Sequence, residues 1–242
     1  MTEYFSNHAD RILLDIEGTT TSVDYVFSVL FPFAQHNVEA FLQSHHDSPS
    51  VEADLQLLRQ EYEADRTQGI SIPKWDNNKT TGVVPYILYL IKVDRKSTGL
   101  KSLQGKIWEQ GYRDGTLRSH IFCDVKPAFE RWTKAGKQLF IFSSGSVLAQ
   151  QLLFRHTEVG DLTGFLSGYF DTATGAKKEA DSYRKIAQTI GLRPESILFI
   201  SDVTDELRAA QSAGMQTLLS VRPGNHSSDS QGFEVVTSFD TV

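Results

Sequence analysis

Three apolar runs of this chain end on side chains that can do chemistry. ILLDIE (12–17) ends on Asp15 and Glu17, LFIFSSG (139–145) on Ser143 and Ser144, and ILFISDVTDE (197–206) on Asp202, Asp205 and Glu206. Charge at the end of a core strand is unfavourable unless it is paired, hydrogen-bonded or bound to a metal. Taken singly, an acid after a strand reads as a helix cap or loop residue. Three such ends in one chain point to a common site. Clustered carboxylates repel one another and call for a cation, and oxygen donors select a hard ion, Mg²⁺ by default. Serines next to a glycine at a helix N-terminus suit a phosphate, because hydroxyls, backbone N–H groups and the helix dipole all favour an anion. Lys177 and Lys178, before the helix of DSYRKIA, offer positive charge for the same place. The set reads as phosphoryl transfer, with a carboxylate attacking in line while a metal and a lysine neutralise charge.

These groups meet only if the strands are parallel and adjacent. From about residue 121 onward, strands alternate with amphipathic helices: helix KPAFERWTKAG closed by Gly136, strand KQLFIFSSG, helix SVLAQQLLFRH, helix DSYRKIAQTIG closed by Gly191, strand ESILFISD, helix VTDELRAAQSAG, strand MQTLLSV. Such alternation predicts an α/β fold, a Rossmann-like parallel sheet with helices on both faces. Between about 24 and 120 the rhythm is helical instead. VEADLQLLRQEYEADR places Val51, Leu55, Leu58 and Tyr62 on one face, LKSLQGKIWEQGY is helix-like, and HHDSPS (45–50) and GISIPKWDNNKTTG (69–82) read as loops. The N-terminal ILLDI needs the later sheet. The expected organisation is therefore an α/β core of residues 1–22 and 121–242, with 23–120 inserted as a helical cap, or lid, at the carboxyl end of the strands, where such sheets bind ligands. The stretch NHSSDSQ (225–231) reads as a surface loop.

Bulk properties fit an ordinary soluble globular protein. The 242 residues are 40% hydrophobic and 22% charged, with a net charge of −6, and the pI is about 5.6. That balance argues against nucleic acid or an anionic membrane as partner. A single cysteine, Cys123, excludes an internal disulfide, fits a reducing compartment, and is read as structural. No secretory signal is visible in MTEYFSNHAD. VVPYILYLIKV (83–93) is far short of the about 20 apolar residues of a membrane span and reads as a buried helix. The seven histidines show no H-x-x-x-H spacing. Phe27, Phe31, Phe33, Trp108 and Tyr112 read mainly as core of the insertion, with those near the lid mouth as candidate contacts to an apolar part of the substrate. Arg222 has two readings, reaching the site or capping the last strand. Localisation is expected to be cytoplasmic, with the nucleus as the added alternative for a eukaryotic chain, and the default state is a monomer.

With these residues in view, DIEGTT, SSGS, the lysine of GAKKEADSY and SDVTDE resemble the four motifs of the haloacid dehalogenase superfamily of phosphatases. LLDIEGTT with LFPFA, LQGKIWEQGYRDGTL, IFSSGSVLAQQLLF, SGYFDT, KKEADSYRKIA and VRPGN together resemble, more narrowly, the enolase-phosphatases of methionine salvage, across residues 13–225. Glu17, where most relatives carry a second aspartate, is the specific mark. The resemblance implies Asp15 as nucleophile and Mg²⁺ ligand, and Glu17 as Mg²⁺ ligand through its carbonyl and as acid or base. It implies Ser143 and Ser144 on the phosphate, Lys177, six residues before Tyr183, as motif lysine, Asp202 on Mg²⁺, and Glu206 as the second acid of the last motif. Lys178 and Asp205 compete for the last roles. The implied cofactor is one Mg²⁺ per subunit. The implied substrate is the phosphorylated diketone 2,3-diketo-5-methylthiopentyl-1-phosphate, which would be enolised and then dephosphorylated, with Glu17, Lys177 and a water as candidate bases. Two alternatives stand beside it: another Mg²⁺-dependent phosphatase of this superfamily acting on a small sugar phosphate, and a non-catalytic binding protein, which would have lost Asp15, Lys177 or Asp202.

Overall fold

The computed structural model describes residues 9–225 and 229–242. The expected loop at 225–231 therefore lies partly outside the described residues. The chain opens with β1 (Arg11–Leu14), whose three last residues are buried. A tight turn follows, then a short helical turn Val23–Tyr25, capped by the Ser22 hydroxyl, which accepts from the Tyr25 amide. A five-residue π-helical turn, Val26–Leu30, leads into α1 (Phe31–Ser44), α2 (Pro49–Thr67), α3 (Val84–Lys92) and α4 (Thr98–Arg113). Then come α5 (Val125–Lys134), β2 (Gln138–Phe142), α6 (Val147–Arg155), β3 (Leu166–Phe170), α7 (Ala180–Ile190), β4 (Ile197–Ser201), α8 (Thr204–Ser212), β5 (Gln216–Ser220) and the two-residue β6 (Val235–Val236). The chain divides into two compact units, one of residues up to Val26 with Arg118–Val242, the other Phe27–Leu117. Among the described residues, no helix is long and apolar enough to cross a membrane.

The first unit is built on a six-stranded sheet in the order β3-β2-β1-β4-β5-β6. Every neighbouring pair runs parallel. β1 sits between β2 and β4, with Leu14 level with Ile141 on one side and Ile200 on the other. The strands that end on these acids and serines are thus three adjacent interior ones, and the order reverses direction at β1, which is where such sheets open a ligand crevice. One face of the sheet sends Leu13, Phe140, Phe142 and Phe199 into a core shared with Tyr183 and Ile186 of α7 and Leu207 and Ala210 of α8. Fully burying one such aromatic contributes roughly 1.5–3 kcal/mol, so the strands cannot slip register without losing several of these contacts. Two strands escaped the sequence reading. β3, read only within the SGYFDT motif, is a half-buried edge carrying Ser167 and Gly168, and β6 is too short to show a pattern.

The helical unit follows its apolar rhythm with charged exceptions. On α2, Val51, Leu58 and Tyr62 are buried, while Leu55 is half-buried and Asp54 and Asp65 are buried with them. Periodicity could not see those aspartates because their partners are distant in sequence. Asp54 pairs with Lys106 of α4. Asp65 accepts from the Tyr86 hydroxyl at 3.0 Å and from Arg95 at 2.8 Å. Replacing Asp65 by alanine strands the fully buried Tyr86 hydroxyl, and an unsatisfied buried donor costs about 1–3 kcal/mol. Denaturant unfolding of Asp65→Ala should show that loss, and a midpoint equal to the parent's refutes it. Of the aromatics read as core, Trp108 and Tyr112 are buried, with the Trp108 indole donating to the Leu30 carbonyl at 2.8 Å. Phe31 and Phe33 are half-buried. Phe27 departs from expectation at 55% exposure, its ring meeting Phe31 edge-on at 5.4 Å. The π-helical turn shifts the face that a regular helix would have given it. Cys123, read as structural, is exposed.

Candidate active site

Asp15 is the first residue beyond β1, one step past the Leu14–Ile141 and Leu14–Ile200 pairs. Parallel register therefore sets it beside Phe142 and Ser201. It is 3% exposed, and its carboxylate is held from three directions. Oδ1 accepts from the Ile16 amide at 2.8 Å and from Lys177 Nζ at 2.6 Å. Oδ2 lies 3.1 Å from the Ser201 hydroxyl, which is equally 3.1 Å from Glu206 Oε2 and donates to one at a time. Lys177 Nζ also reaches Glu206 Oε2 at 2.7 Å.

Burial separates the neighbouring residues. Lys177 is the interior lysine, 7% exposed. Lys178 lies on the surface and pairs with Asp205, also exposed, at 3.0 Å. The six-residue step from Lys177 to Tyr183 has a mechanical meaning, because the Tyr183 hydroxyl, fully buried at the start of α7, donates to the Lys177 carbonyl at 2.7 Å. Burial pulls the Lys177 ammonium down, but Asp15 and Glu206 more than offset it and hold the group above the ordinary lysine range. Glu206 is pushed up by burial and then by the Asp15 charge, against the pull of Lys177. Asp202 is raised by the same two causes in the same order.

The two serines behave differently. Ser143 is buried and its hydroxyl accepts from the Gly145 amide at 3.1 Å, while Ser144 is half-buried. Ser146, which the sequence reading did not separate from them, caps α6 by accepting from the Ala149 amide. Asp171, at the end of β3, accepts from the Val147 amide at 3.3 Å. One carboxylate therefore already shares the helix N-terminus that was read as an anion site.

Glu17 and Gly18 form the turn after Asp15. Glu17 is half-buried, and Gly18 adopts φ +69°. A β-carbon on Gly18 would stand 2.3 Å from Asp202 Oδ2, so only glycine admits that carboxylate. Arg222 turns out not to touch Asp15. It is buried, pairs with Asp124 at 2.7 Å and donates from Nε to the Thr19 carbonyl at 3.2 Å. Ser201 is a contributor that sequence reasoning missed; a serine just before Asp202 was the available signal.

The donor set can be tested against a cation. With all three ionised, Asp15, Asp202 and Glu206 would carry three negative charges against one positive on Lys177, which leaves two for a divalent ion to balance and so relieves the crowding that raises Asp202 and Glu206. Among the described residues, no three His, Cys, Asp or Glu side chains converge as a ready cage. Two carboxylates, Asp15 and Asp202, with a main-chain carbonyl at Glu17 are nevertheless the donors that suit Mg²⁺, which keeps several waters and takes substrate phosphate oxygens as further ligands.

A parallel sheet of this order with an aspartate beyond β1, a serine pair beyond β2, a buried lysine before α7 and acids beyond β4 defines a class, and the sequence profile of the haloacid dehalogenase-like hydrolases matches residues 9–214. The chain is 55% identical over 231 residues to an enolase-phosphatase E1 of Synechococcus elongatus, covering 96% of each. It is 42% identical over 251 residues to a probable bifunctional methylthioribulose-1-phosphate dehydratase/enolase-phosphatase E1 of Vitis vinifera, covering 98% of this chain and 48% of that one. Among solved structures, the UTR4 protein of Saccharomyces cerevisiae matches with a TM-score of 0.79 at 32% identity, over 97% of this chain and all of the other. The chain belongs to the enolase-phosphatases, within the haloacid dehalogenase-like hydrolases.

Proposed function

We propose that this hydrolase converts 2,3-diketo-5-methylthiopentyl-1-phosphate to the acireductone 1,2-dihydroxy-3-keto-5-methylthiopentene and phosphate, as a step of methionine salvage. The observation that carries the reading is Asp15: a buried carboxylate fixed by Lys177, Ser201 and the Ile16 amide at the end of the central strand. The grapevine relative's name adds support, because loss of water from a methylthio-pentulose phosphate yields this diketone.

In the reading, Asp15 attacks phosphorus, the bond from phosphorus to the substrate oxygen breaks, and water then hydrolyses the aspartyl-phosphate. Ser143 and Ser144 hold phosphate oxygens. Lys177, already 2.6 Å from the nucleophile, supplies positive charge to them and keeps Asp15 aimed, which removes orientational cost from the attack. Asp15, Asp202 and the Glu17 carbonyl hold one Mg²⁺ per subunit. When bound, that ion neutralises phosphoryl charge and polarises a carbonyl so that the neighbouring C–H becomes acidic. The base that takes the proton comes from Glu17, Lys177 and a water. The two ion pairs of Lys177 keep it protonated and favour the other two. The division into a catalytic core and a helical cap, and a cytoplasmic monomer, belong to the same proposal.

The test is a stopped-flow record on the diketone phosphate. Enol absorbance should rise and then fall as phosphate appears, and both signals should vanish when Mg²⁺ is chelated. Phosphate release with no enol transient sinks the enolase half and favours a plain Mg²⁺-dependent phosphatase of a small sugar phosphate.

A further inference from the structure

The segment after β5 makes three side-chain contacts to the turn that follows Asp15. The Gly18 carbonyl accepts from the Ser220 hydroxyl at 3.0 Å and from Asn225 Nδ2 at 2.9 Å, and the Thr19 carbonyl from Arg222 Nε at 3.2 Å. Asn225 Nδ2 faces a second carbonyl, that of Ser220, at 3.4 Å. Both groups facing the nitrogen are acceptors, so the amide orientation is set by its partners. Asn225 Oδ1 is consequently turned toward Gly18, buried and without a hydrogen-bond partner. It lies 2.9 Å from the point a Gly18 β-carbon would occupy, the same point that lies 2.3 Å from Asp202 Oδ2.

On the other side of Gly18, its amide donates to the Thr21 carbonyl at 2.8 Å. In a trans peptide the N–H and the C=O point in opposite directions, so this bond turns the Glu17 carbonyl away from Thr21. Holding the amide fixes the peptide before Gly18, and holding the carbonyl fixes the peptide after it. Together they lock the left-handed φ of +69°, a state glycine enters and leaves at little steric cost when nothing restrains it.

We infer that Asn225 is a positioning residue for the cation site: with Ser220 it clamps the Gly18 carbonyl, and this clamp, acting together with the Gly18 amide bond to Thr21, presets the Glu17 carbonyl and holds Gly18 against the Asp202 carboxylate. The inference rests on the proposed ligand set of Asp15, Asp202 and the Glu17 carbonyl. Asn225 touches no reacting atom. Its effect passes through the turn, as with the outer partners of other metal ligands, whose removal weakens metal affinity about 10–100-fold.

The experiment is calorimetric titration of Mg²⁺ into the metal-free full chain, for the parent, Asn225→Ala, Ser220→Ala and Asp202→Asn, at a temperature well below every melting point. Asn225→Ala should bind Mg²⁺ about 10–100-fold more weakly, Ser220→Ala less so but in the same direction, and the Mg²⁺ concentration for half-maximal phosphate release should rise in parallel. A merely structural role lowers the melting temperature and leaves Mg²⁺ affinity alone. That result, with Asp202→Asn weakened as expected, overturns the clamp. Unchanged binding in Asp202→Asn overturns the ligand set itself, and the purpose of the clamp with it. Should Asn225→Ala fail to fold, Ser220→Ala decides: it removes one hydroxyl donor to the same carbonyl, and undiminished Mg²⁺ affinity there refutes the inference.

Discussion

Replacing Asp15 by asparagine should stop phosphate release, lowering kcat by at least about 10⁴-fold, the scale on which removing a nucleophile acts. The substitution is close to isosteric. The asparagine oxygen can still accept from the Ile16 amide, and Lys177 keeps its 2.7 Å contact to Glu206. What disappears is the charge proposed to attack phosphorus and one of three crowded carboxylates. For that reason the loss of activity should come without a loss of fold: in the absence of Mg²⁺ the melting temperature should be no lower than the parent's, because sites strained by like charges gain stability when they lose function. Phosphate release at near the parent rate would refute the assignment of Asp15.

Lys177→Met should do the opposite and damage both fold and activity. The methionine fills much of the same volume but leaves Asp15 and Glu206 buried with no cation between them. Breaking a buried pair by removing one partner costs about 3–5 kcal/mol, since the remaining charge is neither solvated nor compensated. Here two carboxylates are left facing one ammonium's former place. Denaturant titration should show a drop of that size, with phosphate release reduced by about 10²–10³-fold in the fraction that folds, since an electrostatic contact of this kind contributes about that much to a transition state. Lys178→Met, at an exposed pair, should shift stability by less than about 1 kcal/mol. Equal effects from the two would refute the separation of an interior lysine from a surface one.

The outline of the fold was legible because its signals are local. Apolar runs bounded by turns give strands, 3.6-residue rhythm gives helices, and Gly136 and Gly191, at φ +81° and +79°, end α5 and α7 where the sequence reading placed the stops. The elements that stayed hidden lacked a local signal. β3 is an edge strand and half-buried, so nothing forces an unbroken apolar run on it. Asp54 and Asp65 interrupt the apolar face of α2 because Lys106 and Arg95 come to meet them. The exposure of Phe27 reflects a local change of helical pitch that residue type does not encode.

For the site, the sequence by itself determined most of the inventory and the side of the sheet. Asp15, Ser143, Ser144 and Asp202 follow strands directly, and parallel strands carry such residues to one edge. Tertiary structure alone decided the rest. Lys177 and Lys178 are identical in type and adjacent in chain, yet the Tyr183 hydroxyl holds the carbonyl of the first while its ammonium enters the interior. Asp205 and Glu206 are separated in the same way, one facing solvent and one facing Lys177. Ser201 and Asp15 stand 186 residues apart, Asn225 and Gly18 207 apart. Such pairs are set by the register of neighbouring strands and the packing beneath them. The physical reason is that residue type states which interactions a side chain can make, whereas burial and a partner at hydrogen-bond distance, both products of the whole chain, select the one it does make.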